Sequence, residues 1–136
     1  MRQTGILILA VIFMAGIGLA EKQAEITVKS MPPSVIKTVP QVGDTTVDAK
    51  ATKQISVTFS KEMKDGCWSW AQMSNETFPQ MLGKPKYLND KKTCVIDVKL
   101  EPKKTYVIWL NTKKFVNFKD TEGNPAIPFL LVFQTK

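Results

Sequence analysis

Gln54-Ile55-Ser56-Val57-Thr58-Phe59-Ser60 decides how this chain is read. Ile, Val and Phe alternate with small polar residues. Successive side chains of a strand point to opposite faces, so such a run has one buried and one wet face. The same period returns downstream. In Thr93-Cys94-Val95-Ile96-Asp97-Val98-Lys99-Leu100 the inward row is Cys94, Ile96, Val98 and Leu100, and further on it is Tyr106, Ile108 and Leu110. Phe129-Leu130-Leu131-Val132-Phe133 is apolar on both faces, as in a last strand whose outer side is partly covered. Residues 34–39, 67–73 and, more briefly, 84–88 supply three further strands.

Turn chemistry separates these runs. Gly43-Asp44, Lys64-Asp65-Gly66, Asn89-Asp90, Glu101-Pro102 and Glu122-Gly123-Asn124-Pro125 favour turns or positive φ. Pro40, Pro79, Pro85 and Pro128 would each interrupt a helix. The expected fold is all-β, a single sandwich of about seven strands. Its predicted core is Ile55, Val57, Phe59, Cys94, Ile96, Val98, Leu100, Tyr106, Ile108, Leu110, Leu131 and Phe133, because a one-residue slip of register would expose each whole row.

The 136 residues suffice for one domain and not two. Residues 1–20 begin with one charge at Arg2, continue through an apolar stretch and end on Gly18-Leu19-Ala20, the layout of a secretory signal peptide. Cleavage is expected after Ala20, with Ala24 as second choice. An uncleaved anchor is the alternative, but fifteen apolar residues fall short of the roughly 20 that span a bilayer. Residues 21–33 are mostly polar and close on Pro32-Pro33, which suits a linker, and 34–136 form the domain. The expected location is secreted, periplasmic or at the cell envelope, with no stable membrane span after cleavage.

Two absences narrow the chemistry. The chain has no histidine, which removes the usual zinc ligand, the Ser-His and Cys-His dyads and the default general base. Arg2 is the only arginine, so the domain lacks the fork that reads guanine or grips phosphate. No enzyme, nucleic-acid partner, cofactor or metal is expected. Ser69 and Ser74 have no histidine to activate them, and no S-x-x-K spacing stands on a helix, where a Ser-Lys dyad ordinarily sits. Asp120, Glu122 and Asn124 offer oxygen at every second position, but calcium takes six to eight oxygens and Glu101 is the only other acid nearby, so a structural turn is expected.

Four stretches in order carry a resemblance. They are Pro33-Ser34-Val35 with Thr38-Val39-Pro40 and Gly43-Asp44-Thr45, then Ile55 to Met63 (ISVTFSKEM), then Tyr106-Val107-Ile108 leading into Phe118-Lys119-Asp120-Thr121-Glu122-Gly123-Asn124-Pro125, and finally Leu131-Val132-Phe133-Gln134-Thr135. Together they resemble the bacterial immunoglobulin-like domain of the SbsA (S-layer protein) type, over essentially the whole of 33–136. The resemblance implies a β-sandwich with Greek-key connections and no catalytic apparatus, in domains that serve as spacers, surface-layer modules or appendages of enzymes. The expected function is a secreted, non-enzymatic immunoglobulin-like module that acts on a protein partner or a cell-surface polymer.

Candidate binding residues are aromatic. Trp109 alternates with inward Ile108 and Leu110 and so points outward. With Tyr87 it could stack on sugar rings, which makes a carbohydrate-binding domain the alternative function. Trp68 and Trp70 share a face and are expected in the core, as an immunoglobulin-type tryptophan is. The lysines at 84, 86, 91, 92, 103, 104, 113, 114 and 119 read mainly as a solvated surface that protects edge strands, or else as attraction to an anionic polymer. In an oxidising compartment Cys67 and Cys94 have one possible disulfide between them, although the strand pattern does not place them clearly on one face.

Overall fold

The computed structural model describes residues 23–136, and the expected signal peptide lies outside the described residues. Seven strands follow in order: β1 (Val35–Val39), β2 (Gln54–Phe59), β3 (Trp70–Gln72), β4 (Gln80–Tyr87), β5 (Thr93–Lys99), β6 (Thr105–Leu110) and β7 (Phe129–Gln134). They form a four-stranded sheet in the order β1-β2-β5-β4 and a three-stranded sheet in the order β3-β6-β7, every neighbouring pair antiparallel. Lettered in chain order, that is ABED against CFG, the constant-type immunoglobulin arrangement with its Greek-key crossovers. No helix among the described residues is long and apolar enough to cross a membrane.

All twelve residues of the predicted inward rows are buried. They meet between the sheets, where Phe59 lies 5.0 Å from Phe118 and Tyr106 lies 5.4 Å from Phe133, centroid to centroid. Tyr106 is buried to its tip, and its hydroxyl accepts from the Glu101 main-chain N–H at 2.8 Å. That bond ties the β5–β6 turn to the start of β6, as a tyrosine corner does. Val95 and Val107 are buried too, although they sit on the outward parity of their strands. Both occupy strands with a neighbour on each side, and Val95 is flanked across its ladders by Ser56 and Lys86.

Two strands depart from the sequence reading. The run expected at 84–88 is the end of an eight-residue strand, β4, which starts at Gln80. Pro79, Gly83 and Pro85 hide it from a pattern search. The structure accommodates them because β4 is an edge strand whose register slips between Leu82 and Lys86, with Gly83 at φ 79°. The strand expected at 67–73 shrinks to Trp70–Gln72.

The chain before β1 does not hang free over its whole length. Thr27 and Ser30 close a turn, and the Lys61 ammonium donates to the carbonyls of Lys29 and Met31 at 3.0 and 2.9 Å. The same ammonium pairs with the Asp120 carboxylate, which is 0% exposed. Asp120 also accepts from the main-chain N–H groups of Glu122 and Asn124 and from the Asn124 side chain. Its oxygens are therefore taken up by donors of its own turn and by Lys61. Burial alone would raise its pKa, but hydrogen bonds from Lys61 and Asn124 and the Lys61 charge outweigh that and hold it below the ordinary 3.8.

Candidate functional site

Trp68-Ser69-Trp70-Ala71-Gln72 runs into the edge of the three-stranded sheet, and β4 forms the facing edge of the other sheet. Between them lies an open groove of about 640 Å³. Trp68, Trp70 and Phe78 line it from one side, Met81 and Pro85 of β4 from the other, and Phe115 of the β6–β7 connection stands at its mouth. The volume is within the range of ligand clefts, roughly 300–1,000 Å³.

Each wall has a local reason. Trp68 and Trp70 are two apart in an extended segment and so project the same way. Trp70 meets Phe118 edge-on at 5.6 Å, so half of it serves the core and half lines the groove. The expected core placement of this pair thus holds only in part, because β3 is an edge strand with no neighbour to cover them. The Ser69 hydroxyl accepts from the Asn117 main-chain N–H at 3.0 Å, and the Ser69 carbonyl accepts from Asn111 N–H at 3.1 Å. Buried Asn111 donates to the carbonyls of Phe118 and Ala126 and accepts from Phe118 N–H. These bonds fix the connection that presents Phe115, which is 49% exposed.

The two aromatics singled out from the sequence are not brought together. Trp109 pairs with Ala71 and Leu130 on the outer parity of the three-stranded sheet and is half-buried. Tyr87 pairs with core residue Cys94 at the edge of the other sheet and packs against the core. Its hydroxyl donates to the Cys67 carbonyl at 2.9 Å. Burial, with lesser effects from Cys94, Cys67 and Asp65, pushes that hydroxyl well above its ordinary pKa. Tyr87 therefore spends its polar tip inside the molecule.

Cys67 and Cys94 are free thiols in the structure, Cys67 half-buried and Cys94 buried. Burial raises the Cys94 thiol to about 12, against a smaller lowering from Trp70. The Trp70 indole N–H is buried without a hydrogen-bond acceptor. Among the described residues no group of three or more acidic or cysteine side chains is placed to hold a metal ion.

The groove had one legible signal, the density of aromatic and amide residues from Trp68 to Gln80. Phe115 carried none, since its role depends on a loop folded back by Asn111.

A family model described as a bacterial Ig-like domain matches residues 29–135. Among solved structures, the S-layer protein rSbsC(31-844) is similar at a TM-score of 0.51 and 17% identity, over 79% of this chain and 14% of that one. The N-terminal part of the S-layer protein SbsC gives the same score and identity, over 79% of this chain and 24% of that one. SbsC domains 1-6 give 0.50 and 18%, over 77% and 14%. The chain thus spans less than a quarter of the length of these structures. No curated protein matches it.

Proposed function

The chain belongs to the bacterial Ig-like domain family, and from that premise we propose that it is an exported, non-enzymatic module that works at the cell surface by holding a partner protein or an envelope component. The observation that carries this reading is the aromatic groove between β3 and β4, a concave and largely apolar surface left open at one flank of the sandwich. Export is supported by the signal-peptide layout of residues 1–20, and a surface location by the similarity to S-layer proteins. A chain without histidine, whose buried acid Asp120 is committed to Lys61, favours binding over catalysis.

The test is retention on the native envelope. Tagged wild-type protein is recovered from the periplasm, the medium and the envelope fraction, beside a Trp68→Ala/Phe115→Ala protein shown by circular dichroism to be folded. Wild type should be held on the envelope or co-purify with one partner in stoichiometric amount, and the variant should be released. An inert, free wild-type monomer would sink the proposal.

A further inference from the structure

We propose that the β3–β4 groove takes an extended acidic segment of a protein partner, which adds as a strand to the open edge of β3. This deepens the surface-module reading and rests on it. Three observations converge on that occupant.

The first is backbone. Among the described residues β3 pairs only with β6, and its other side carries N–H and C=O groups that no described strand pairs. Such an edge is a template for an incoming strand unless charge, proline or a bulge blunts it. Residues 68–75 hold neither a charge nor a proline. β4, across the groove, is blunted by all three devices: a register slip, Pro85 without an N–H, and lysines on either side of it. An added strand therefore pairs with β3 and uses β4 as a wall.

The second is side chains. An added strand turns alternate residues toward each face. Trp68, Trp70, Phe78 and Met81 form the apolar floor that such a row would occupy.

The third is charge. The segments that frame the groove, 68–88 and 111–118, contain four lysines against one acid, Glu76. Lys84, Lys86, Lys113 and Lys114 are all exposed, and Lys114 Nζ sits 5.5 Å from the centroid of the Phe115 ring at the groove mouth. None of the four lines the groove itself, but an excess of cations in the flanking segments attracts the opposite sign and raises its encounter rate. The groove along β1 differs, since Asp44 and Asp48 line it together with Lys37.

The experiment uses the secreted protein and tryptophan fluorescence, with calorimetry as a second readout. The probes are a decapeptide alternating glutamate with valine, a lysine–valine counterpart, a glutamate–valine peptide N-methylated at alternate amides, and an oligogalacturonate. The acidic peptide should bind, while the basic and N-methylated peptides should be weaker by at least about tenfold. A Lys84→Glu/Lys114→Glu protein, changed only at exposed positions, should lose about tenfold for the acidic peptide. Failure of the acidic peptide to bind at about 1 mM overturns the proposal. So does equal binding of the N-methylated peptide, or tighter binding of the oligogalacturonate. If the folded Trp68→Ala/Phe115→Ala protein still loses its native retention while the acidic peptide fails, only this inference falls. If wild type is not retained at all, the surface-module reading falls with it.

Discussion

At one flank of the sandwich the chain leaves β1 at Val39, turns through the cis Val39–Pro40 bond and crosses to the other sheet. Gly43 N–H donates to Val132 O at 2.7 Å, Gln134 N–H to Asp44 O at 2.8 Å and Val47 N–H to Gln134 O at 3.1 Å. Val47 thereby pairs in parallel with Thr135, and the edge of β7 is covered by backbone. At the opposite flank, among the described residues, β3 has no backbone partner beyond β6 and is faced by the side chains of β4. Both flanks bury apolar surface, but only the first also spends the hydrogen-bonding capacity of its edge strand. An edge closed by backbone is finished, and an edge walled by side chains can still bind.

The largest effect should come from the layer both flanks lean on. Phe59→Ala removes a fully buried ring that packs on Phe118 and should cost about 3–5 kcal/mol in urea unfolding. Against a total of roughly 5–15 kcal/mol, little folded protein should remain at 37 °C.

Next comes Asp120→Ala. It leaves the Lys61 ammonium, whose side chain is only 10% exposed, without its counter-ion. The expected cost is about 3 kcal/mol, with faster proteolysis before Pro33 as the segment held by Lys61 loosens. This change also has a pH signature. Because the folded-state pKa of Asp120 is lowered, the unfolded state binds more protons between that value and 3.8. The contribution is complete above 3.8 and is lost as pH falls through the lowered value. Asp44, Asp48 and Asp90, lowered by hydrogen bonds from their own turns, act in the same direction. Urea midpoints should therefore fall on acidification below about pH 4, less steeply in Asp120→Ala than in wild type.

Gly43→Ala tests the closed flank itself. A Cβ at Gly43 meets no atom within 4 Å, so the cost is the left-handed backbone at φ 87°, about 1–2 kcal/mol. Amide exchange at Gln134 should quicken more than at Ile108. If the two change alike, backbone closure is not what distinguishes this flank.

The smallest effects belong to the open flank and the surface. Lys99→Ala should stay within about 0.5 kcal/mol of wild type in urea and Phe115→Ala within about 1 kcal/mol, because Lys99 is exposed and Phe115 is half exposed and outside the core. A stability loss from Phe115→Ala rivalling that of Gly43→Ala would mean the groove is part of the core and not a site. A Lys99→Ala protein less stable than Phe59→Ala would overturn the assignment of faces.

The twelve inward residues were legible because alternation is a property of one strand and needs no knowledge of its neighbours. Phe118, Met63, Val47 and Ala126 are buried as well, yet they belong to none of the alternating runs. They enter the core through loops pinned by isolated bridges such as Met63 to Asp120 and Lys119 to Pro125. The lysine that anchors the N-terminal segment was invisible for the same reason, since Lys61 and Asp120 are 59 residues apart. Tyr87 and Trp109 were paired in the sequence reading by residue type alone, and their strands lie in different sheets.

By itself the sequence determined the fold class, the number of strands, the inward face of the four longest apolar runs and the chemistry the chain lacks. These follow from local periodicity and composition. Which edge would be covered, which aromatic would stand in a groove and which acid would meet a buried lysine were decided only by tertiary structure. Each depends on where segments distant in sequence cross, and a side chain's surroundings are set by the strand beside it, not by the residue before it.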